Sequence, residues 1–86
     1  MTDIKNIISG CLKGSRKDQE ILYRRHAAKF YAVCLQYTGN DDEAQDILQE
    51  GFIKIFENLG SYKYEGSFEG WMRRIMVNTA LEKFLL

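Results

Sequence analysis

Asp46, Gln49, Glu50, Ile53 and Glu57 stand at offsets of 0, 3, 4, 7 and 11, the spacing that lines side chains along one face of an α-helix. Carboxylates in such a row pair with a basic partner, and an isoleucine among them offers that partner a dry contact. The stripe therefore reads as a docking surface; the plainer alternative is a solvated helix face. The same helix carries Ala44, Ile47, Leu48, Phe52, Ile55, Phe56 and Leu59 on its other side, an apolar stripe at three- and four-residue steps. A second group with chemical capacity follows in the chain. Tyr62, Lys63, Tyr64 and Phe68 stand in a glycine-rich stretch, and Arg73, Arg74 and Asn78 come just after it.

Other chemistries lack their residues. No Ser/His/Asp or Cys/His arrangement has a supporting motif, and His26 falls on the inward stripe of its helix, where a histidine is a core residue rather than a base. No glycine motif cradles phosphate, and the run Asn40-Asp41-Asp42-Glu43 lacks the alternating ligands and central glycine of a calcium loop. Cys11 and Cys34 are isolated, whereas a zinc site takes about four ligands, usually in close pairs. Cys34 sits on an apolar stripe and reads as a buried thiol, with a disulfide as the alternative. An enzyme is not expected, nor is a metal or other cofactor.

The elements that must position these groups are helices. Thr2 or Asp3 can cap a first helix through Leu12, stopped at Lys13-Gly14. Ser15 precedes a second helix, with Asp18 three residues on in a near capping box. Its inward face is Leu22, His26, Ala27, Phe30, Val33, Cys34 and Tyr37, and Thr38-Gly39 ends it. Asn40 caps the third helix, and Asp41, Asp42 and Glu43 complement the positive end of its dipole, so they need no functional reading. Gly51 lies inside that helix, where glycine costs up to ~1 kcal/mol relative to alanine; it either permits close helix approach or is a surface accident. From Leu59 to Gly70 the pattern breaks into a loop, and Ser67 can cap a last helix through Trp71, Met72, Ile75, Met76, Thr79 and Leu81. Phe84-Leu85-Leu86 continues that helix without a stop signal, so the chain reads as a fragment of a longer protein. With no strand candidate, the fold class is all-α, a compact bundle of about four helices without a sheet.

At 86 residues, 45% hydrophobic and 13% aromatic, the chain has the makings of one small core over residues 1–86. No apolar run is long enough to span a bilayer and no leader pattern is present, so a cytoplasmic protein is expected. Formal net charge is zero, but its distribution is uneven. Residues 1–40 hold seven Lys/Arg against three Asp/Glu, residues 41–60 one lysine against six acids, and residues 61–86 four bases against three acids. An acidic helix between two mildly basic segments suggests two partners on two faces, or halves that pair with each other within the fold.

Taken in order, a helix ending at Tyr37-Thr38-Gly39, then Asp46-x-x-Gln49-Glu50-x-Phe52, an aromatic loop, and Phe68-x-x-Trp71-x-x-x-Ile75-x-x-Asn78 resemble region 2 of the sigma-70 family of bacterial initiation factors. The extracytoplasmic-function (ECF) type is the nearest match, and the resemblance covers roughly residues 16–84. It implies a transcription initiation factor domain with a sigma region 2-like bundle. It implies that Asp46, Gln49 and Glu50, with Ile53 as the apolar contact, dock on the clamp helices of the largest subunit of core RNA polymerase. It further implies that the loop and last helix open the promoter −10 element and bind its single non-template strand. Tyr62, Tyr64 and Phe68 would stack bases beside Lys63, with Arg73 and Arg74 on phosphate and Asn78 on a base edge. Phe68 and Trp71 serve equally well as core, and Asn78 as a bond to a neighbouring loop. An anti-sigma factor covering the same faces is the implied regulator. The family's second domain, a helix-turn-helix that reads the −35 element, is absent from these residues. With Glu65 and Glu69 against Lys63, weak DNA affinity is expected of this domain alone.

Two other readings compete. A helical protein–protein interaction module without DNA binding would use the acidic stripe alone and bury the aromatic loop. A duplex-binding helix-turn-helix protein would need a strongly basic recognition helix, which neither the third nor the fourth helix supplies.

Overall fold

The computed structural model describes residues 4–85, with side chains as far as residue 83. The proposed caps Thr2 and Asp3, Leu86, and the side chains of Phe84 and Leu85 lie outside the described residues. Four α-helices follow one another: α1 (Ile4–Leu12), α2 (Arg16–Thr38), α3 (Asp41–Asn58) and α4 (Phe68–Leu85), with a short 3₁₀ turn over Leu59–Ser61. No strand occurs among the described residues, as expected of an all-α bundle.

The punctuation is local and follows the residue types. Ser15 accepts a hydrogen bond from the Asp18 amide at 3.2 Å and starts α2. Gly39, at φ 64°, ends it by donating its N–H to Leu35 O at 2.7 Å. This left-handed position is one that glycine enters without steric cost. Asn40 then accepts from the Glu43 amide at 3.0 Å, so only Gly39 and Asn40 separate α2 from α3. At the other end of the chain, Ser67 Oγ accepts from Gly70 N at 3.0 Å and caps α4.

The core lies where α3 packs between α2 and α4. Leu22, Phe30 and Cys34 from α2 meet Ala44, Ile47, Phe52 and Ile55 from α3 and Met72, Met76 and Ala80 from α4. Ile7, Ile8 and Cys11 of α1 close one end. Both cysteines are buried free thiols, and burial raises the pKa of each. Gly51 is a close-approach glycine: a Cβ there would stand 2.3 Å from Met76 Sδ.

One inward-face expectation fails. Tyr37 is 42% exposed; it stands in the last turn of α2, beside the reversal at Gly39, and the buried residues of that stretch are Val33 and Cys34.

Candidate protein and nucleic-acid interfaces

Along the outer face of α3, Asp46, Gln49, Ile53 and Glu57 are exposed, Ile53 by 56%. The structure brings Asp46, Gln49 and Ile53 together as a surface row with no intramolecular hydrogen bond or ion pair among the described residues. Glu50 departs from the row. It is half-buried against α4, 3.2 Å from Lys83 Nζ and 3.5 Å from Lys54 Nζ, and Lys54 in turn bonds Glu82 at 2.7 Å. The Lys83 hydrogen bond holds the Glu50 carboxyl below the usual carboxylate range, and the Glu82 bond raises the Lys54 ammonium. Helical spacing and the family resemblance both put Glu50 on the docking row; its pairing depends on a lysine a whole helix away in sequence. A surface pocket of about 280 Å³ lies beside the row, lined by Glu43, Asp46, Ile47 and Lys83.

The second cluster surrounds the start of α4. Tyr62, expected to stack a base, is buried at 8% exposure. Its ring is the hub of an aromatic cluster, with centroids 4.9 Å from Tyr64, 5.0 Å from Phe68 and 5.3 Å from Trp71. Its hydroxyl donates to Gly66 O at 3.0 Å, pinning the loop across its own width. A glycine-rich loop offers little core of its own, yet this one folds down onto the first turn of α4, where Phe68 and Trp71 stack at 15° and 5.8 Å. Phe68 is likewise buried. Tyr64 carries its ring to the surface, 45% exposed, and Lys5 of α1 stands 5.5 Å from the ring centroid. Lys63 is exposed.

Trp71 is half-buried and, with Glu65, Gly66, Ser67, Gly70 and Arg74, lines an open pocket of about 310 Å³. Arg74 and Asn78 are both exposed, one helical turn apart, and Arg73 is exposed beside them. Trp71 has one edge in the aromatic cluster and one in the pocket wall. Lys5 carried no signal in the sequence, since its relation to Tyr64 exists only through the fold.

Glu69, counted in the sequence as an acid working against DNA, is already neutralised. Its carboxylate takes Lys29 Nζ at 3.0 and 3.2 Å, a bond that lowers its pKa. His26 Nδ1 lies 3.6 Å from the same carboxylate without a hydrogen bond, and the imidazole stacks on Phe30 at 17°. Burial lowers the His26 pKa, against the upward pull of Glu69 and with the push of Lys29 and Arg25.

The aromatic cluster sits at the start of α4, and the ion pairs of Glu50 tie α3 to its far end. Glu69 opens α4 at the aromatic pocket, and Lys83 stands fourteen residues on at Glu50, about 20 Å away at helical rise. One rigid element thus spaces an acidic and apolar row from a pocket of aromatic and arginine chemistry. No group of histidine, cysteine and carboxylate side chains suited to a metal occurs among the described residues.

Comparison with known proteins finds relatives in sequence and in fold. The family model of sigma-70 region 2 matches residues 22–85. The ECF RNA polymerase sigma factor SigE of Mycolicibacterium smegmatis is 39% identical over 61 residues, 71% of this chain and 23% of that protein. The ECF RNA polymerase sigma factor SigW of Bacillus subtilis is 31% identical over 80 residues, 93% of this chain and 43% of that protein. The chain therefore spans less than half the length of these curated relatives. Among solved structures, the NMR structure of an engineered region 2 of sigmaE in complex with GTAAAA superimposes with a TM-score of 0.85 at 28% identity. That match covers 98% of this chain and 87% of the other.

Proposed function

The chain belongs to the sigma-70 region 2 family, and on that premise we propose that it is a transcription initiation module of the ECF type that binds core RNA polymerase and captures the opened −10 strand of a promoter. The row Asp46, Gln49 and Ile53 docks on a basic coiled coil, the clamp helices of the largest subunit. Its carboxylate steers and registers the encounter, and Ile53 supplies dry contact area. Glu50 acts one step back, holding α4 to α3 through Lys83. Reading bases within a stacked duplex is hard, whereas an extruded base can enter a pocket and its neighbours can stack on aromatic rings. The pocket of Trp71, Arg74 and the glycine-lined loop fits one such base of the non-template strand, and Tyr64 offers a stacking face. Arg73 and Arg74 meet phosphate, Asn78 addresses a base edge, and Lys63 adds charge. Tyr62 and Phe68 serve beneath that surface as its floor. Such a partner set places the protein in the bacterial cytoplasm, where an anti-sigma factor covering the same faces would silence it.

The observation that carries the docking half is Ile53, a large apolar side chain left 56% exposed among acids on the outer face of α3. Binding to purified bacterial core polymerase tests it. The wild-type chain is retained, and Asp46→Lys with Ile53→Ala releases it while the helical circular dichroism and melting temperature stay unchanged. Retention of that variant would overturn the docking assignment. Glu50→Lys is the wrong probe, because it would place three lysines together and loosen α4.

A further inference from the structure

Glu65 is an acid that the rest of the fold leaves unanswered. Glu69, at the start of α4, is neutralised by Lys29 at 3.0 Å. Glu65 has no hydrogen bond or ion pair among the described residues. It lines the pocket of about 310 Å³ with Gly66, Ser67, Gly70, Trp71 and Arg74, and is the one carboxylate there. A bare carboxylate repels a phosphate backbone, so on a strand-binding surface it lowers affinity unless it accepts a bond from the bound base. Its surroundings are fixed. On one side Gly66 O accepts from the Tyr62 hydroxyl at 3.0 Å, and on the other the Tyr64 ring packs on Tyr62 at 4.9 Å between centroids. Two residues on, Ser67 Oγ accepts from Gly70 N at 3.0 Å, which leaves its O–H to donate.

We propose that Glu65 sets the base preference of this pocket, accepting from the exocyclic amino group of cytosine and rejecting thymine. The inference rests on the strand-capture reading above and names the base that the pocket takes. An extruded base is read along its Watson–Crick edge. On cytosine that edge presents the N4 amino donor beside the N3 acceptor; the carboxylate takes the first, and the Ser67 hydroxyl can give to the second. Thymine is a pyrimidine of similar size with a keto oxygen where cytosine has the amino group, and that oxygen and the carboxylate repel. A site built to bond a donor rejects the analogue lacking it, because a group desolvated by the ligand is then left unpaired.

The test uses the chain with fluorescein-labelled hexamers built on GTAAAA. Each position in turn carries cytosine, thymine or uracil, and affinity is read by anisotropy at low salt. At one position cytosine binds roughly fivefold to twentyfold more tightly than thymine, the range of a single base contact. Uracil binds like thymine there; uracil that binds like cytosine would make the thymine methyl the cause and overturn the assignment. Glu65→Gln, whose amide both donates and accepts, brings the ratio at that position close to one. No cytosine preference at any position, with Arg74→Gln still weakening every strand, would overturn the role of Glu65 and leave the strand surface standing. A preference that survives in Glu65→Gln would give the selection to another group and overturn the proposal as well. Failure of the wild type to bind any hexamer would remove the strand reading, and this inference with it.

Discussion

Burial holds the His26 imidazole below its ordinary pKa of 6.5, with Glu69 of α4 pulling the other way and Lys29 and Arg25 of its own helix reinforcing the shift. A histidine with a depressed folded value binds fewer protons folded than unfolded. Its contribution to stability is therefore complete above about pH 6.5 and declines as pH falls through that value. Thermal unfolding at pH 7.5 and 5.5 should show the wild type losing stability on acidification. His26→Phe, which keeps the stack on Phe30, should lose less over the same interval. An equal loss in both would assign the acid sensitivity elsewhere. Glu69 works at lower pH: its carboxyl is depressed by Lys29, so the stability it lends is present above its ordinary value near 4.5 and lost below it.

Between the elements, α3 and α4 are set by a glycine and a methionine in contact. Gly51→Val should destabilise the domain by about 2 kcal/mol through overpacking, because the buried thioether end of Met76 must shift to make room. In a domain of this size that is a fall in Tm of about 10 °C, measured by thermal circular dichroism. An unchanged Tm would mean that the helices stand further apart than the contact requires. This glycine was legible in the sequence as a tolerated anomaly within a helix, and the caps Ser15, Asn40 and Ser67 were legible because each bonds within three residues of itself. Tyr62 and Glu50 were not. The burial of Tyr62 comes from a loop folding onto a helix that has yet to start, and the partner Lys83 of Glu50 arrives only after a further helix has been laid down. Local spacing assigns a face; which neighbour covers it is decided by residues far along the chain.

Taken whole, the molecule carries the two proposed surfaces on α3 and around the start of α4, with the core shared by α2, α3 and α4 holding both helices in place. Perturbations without a common partner add nearly independently. Trp71→Ala with Arg74→Gln should therefore weaken strand capture while leaving retention on core polymerase intact, and Asp46→Lys with Ile53→Ala should do the reverse. A combined variant should show the sum of the two losses on a logarithmic scale. Loss of both activities from either pair would show that the surfaces act as one. The all-α bundle, its helix order and the acidic row were readable from periodicity and capping. The proposed strand surface was readable in its residue types but not in their depth: Tyr62 and Phe68 are buried, and Trp71 is half-buried at the wall of a pocket.

The sulfur of Met76, pressed against the bare backbone of Gly51 and 0% exposed, has a chemical consequence. Peroxide cannot reach it while α3 and α4 are closed, and the extra oxygen of a sulfoxide, polar and larger than the thioether, has no room in that joint. Oxidation at this position therefore waits for the helices to part and then keeps them from closing again. Its rate is a clock for how often the domain opens, and each tick is one molecule retired until a reductase repairs it.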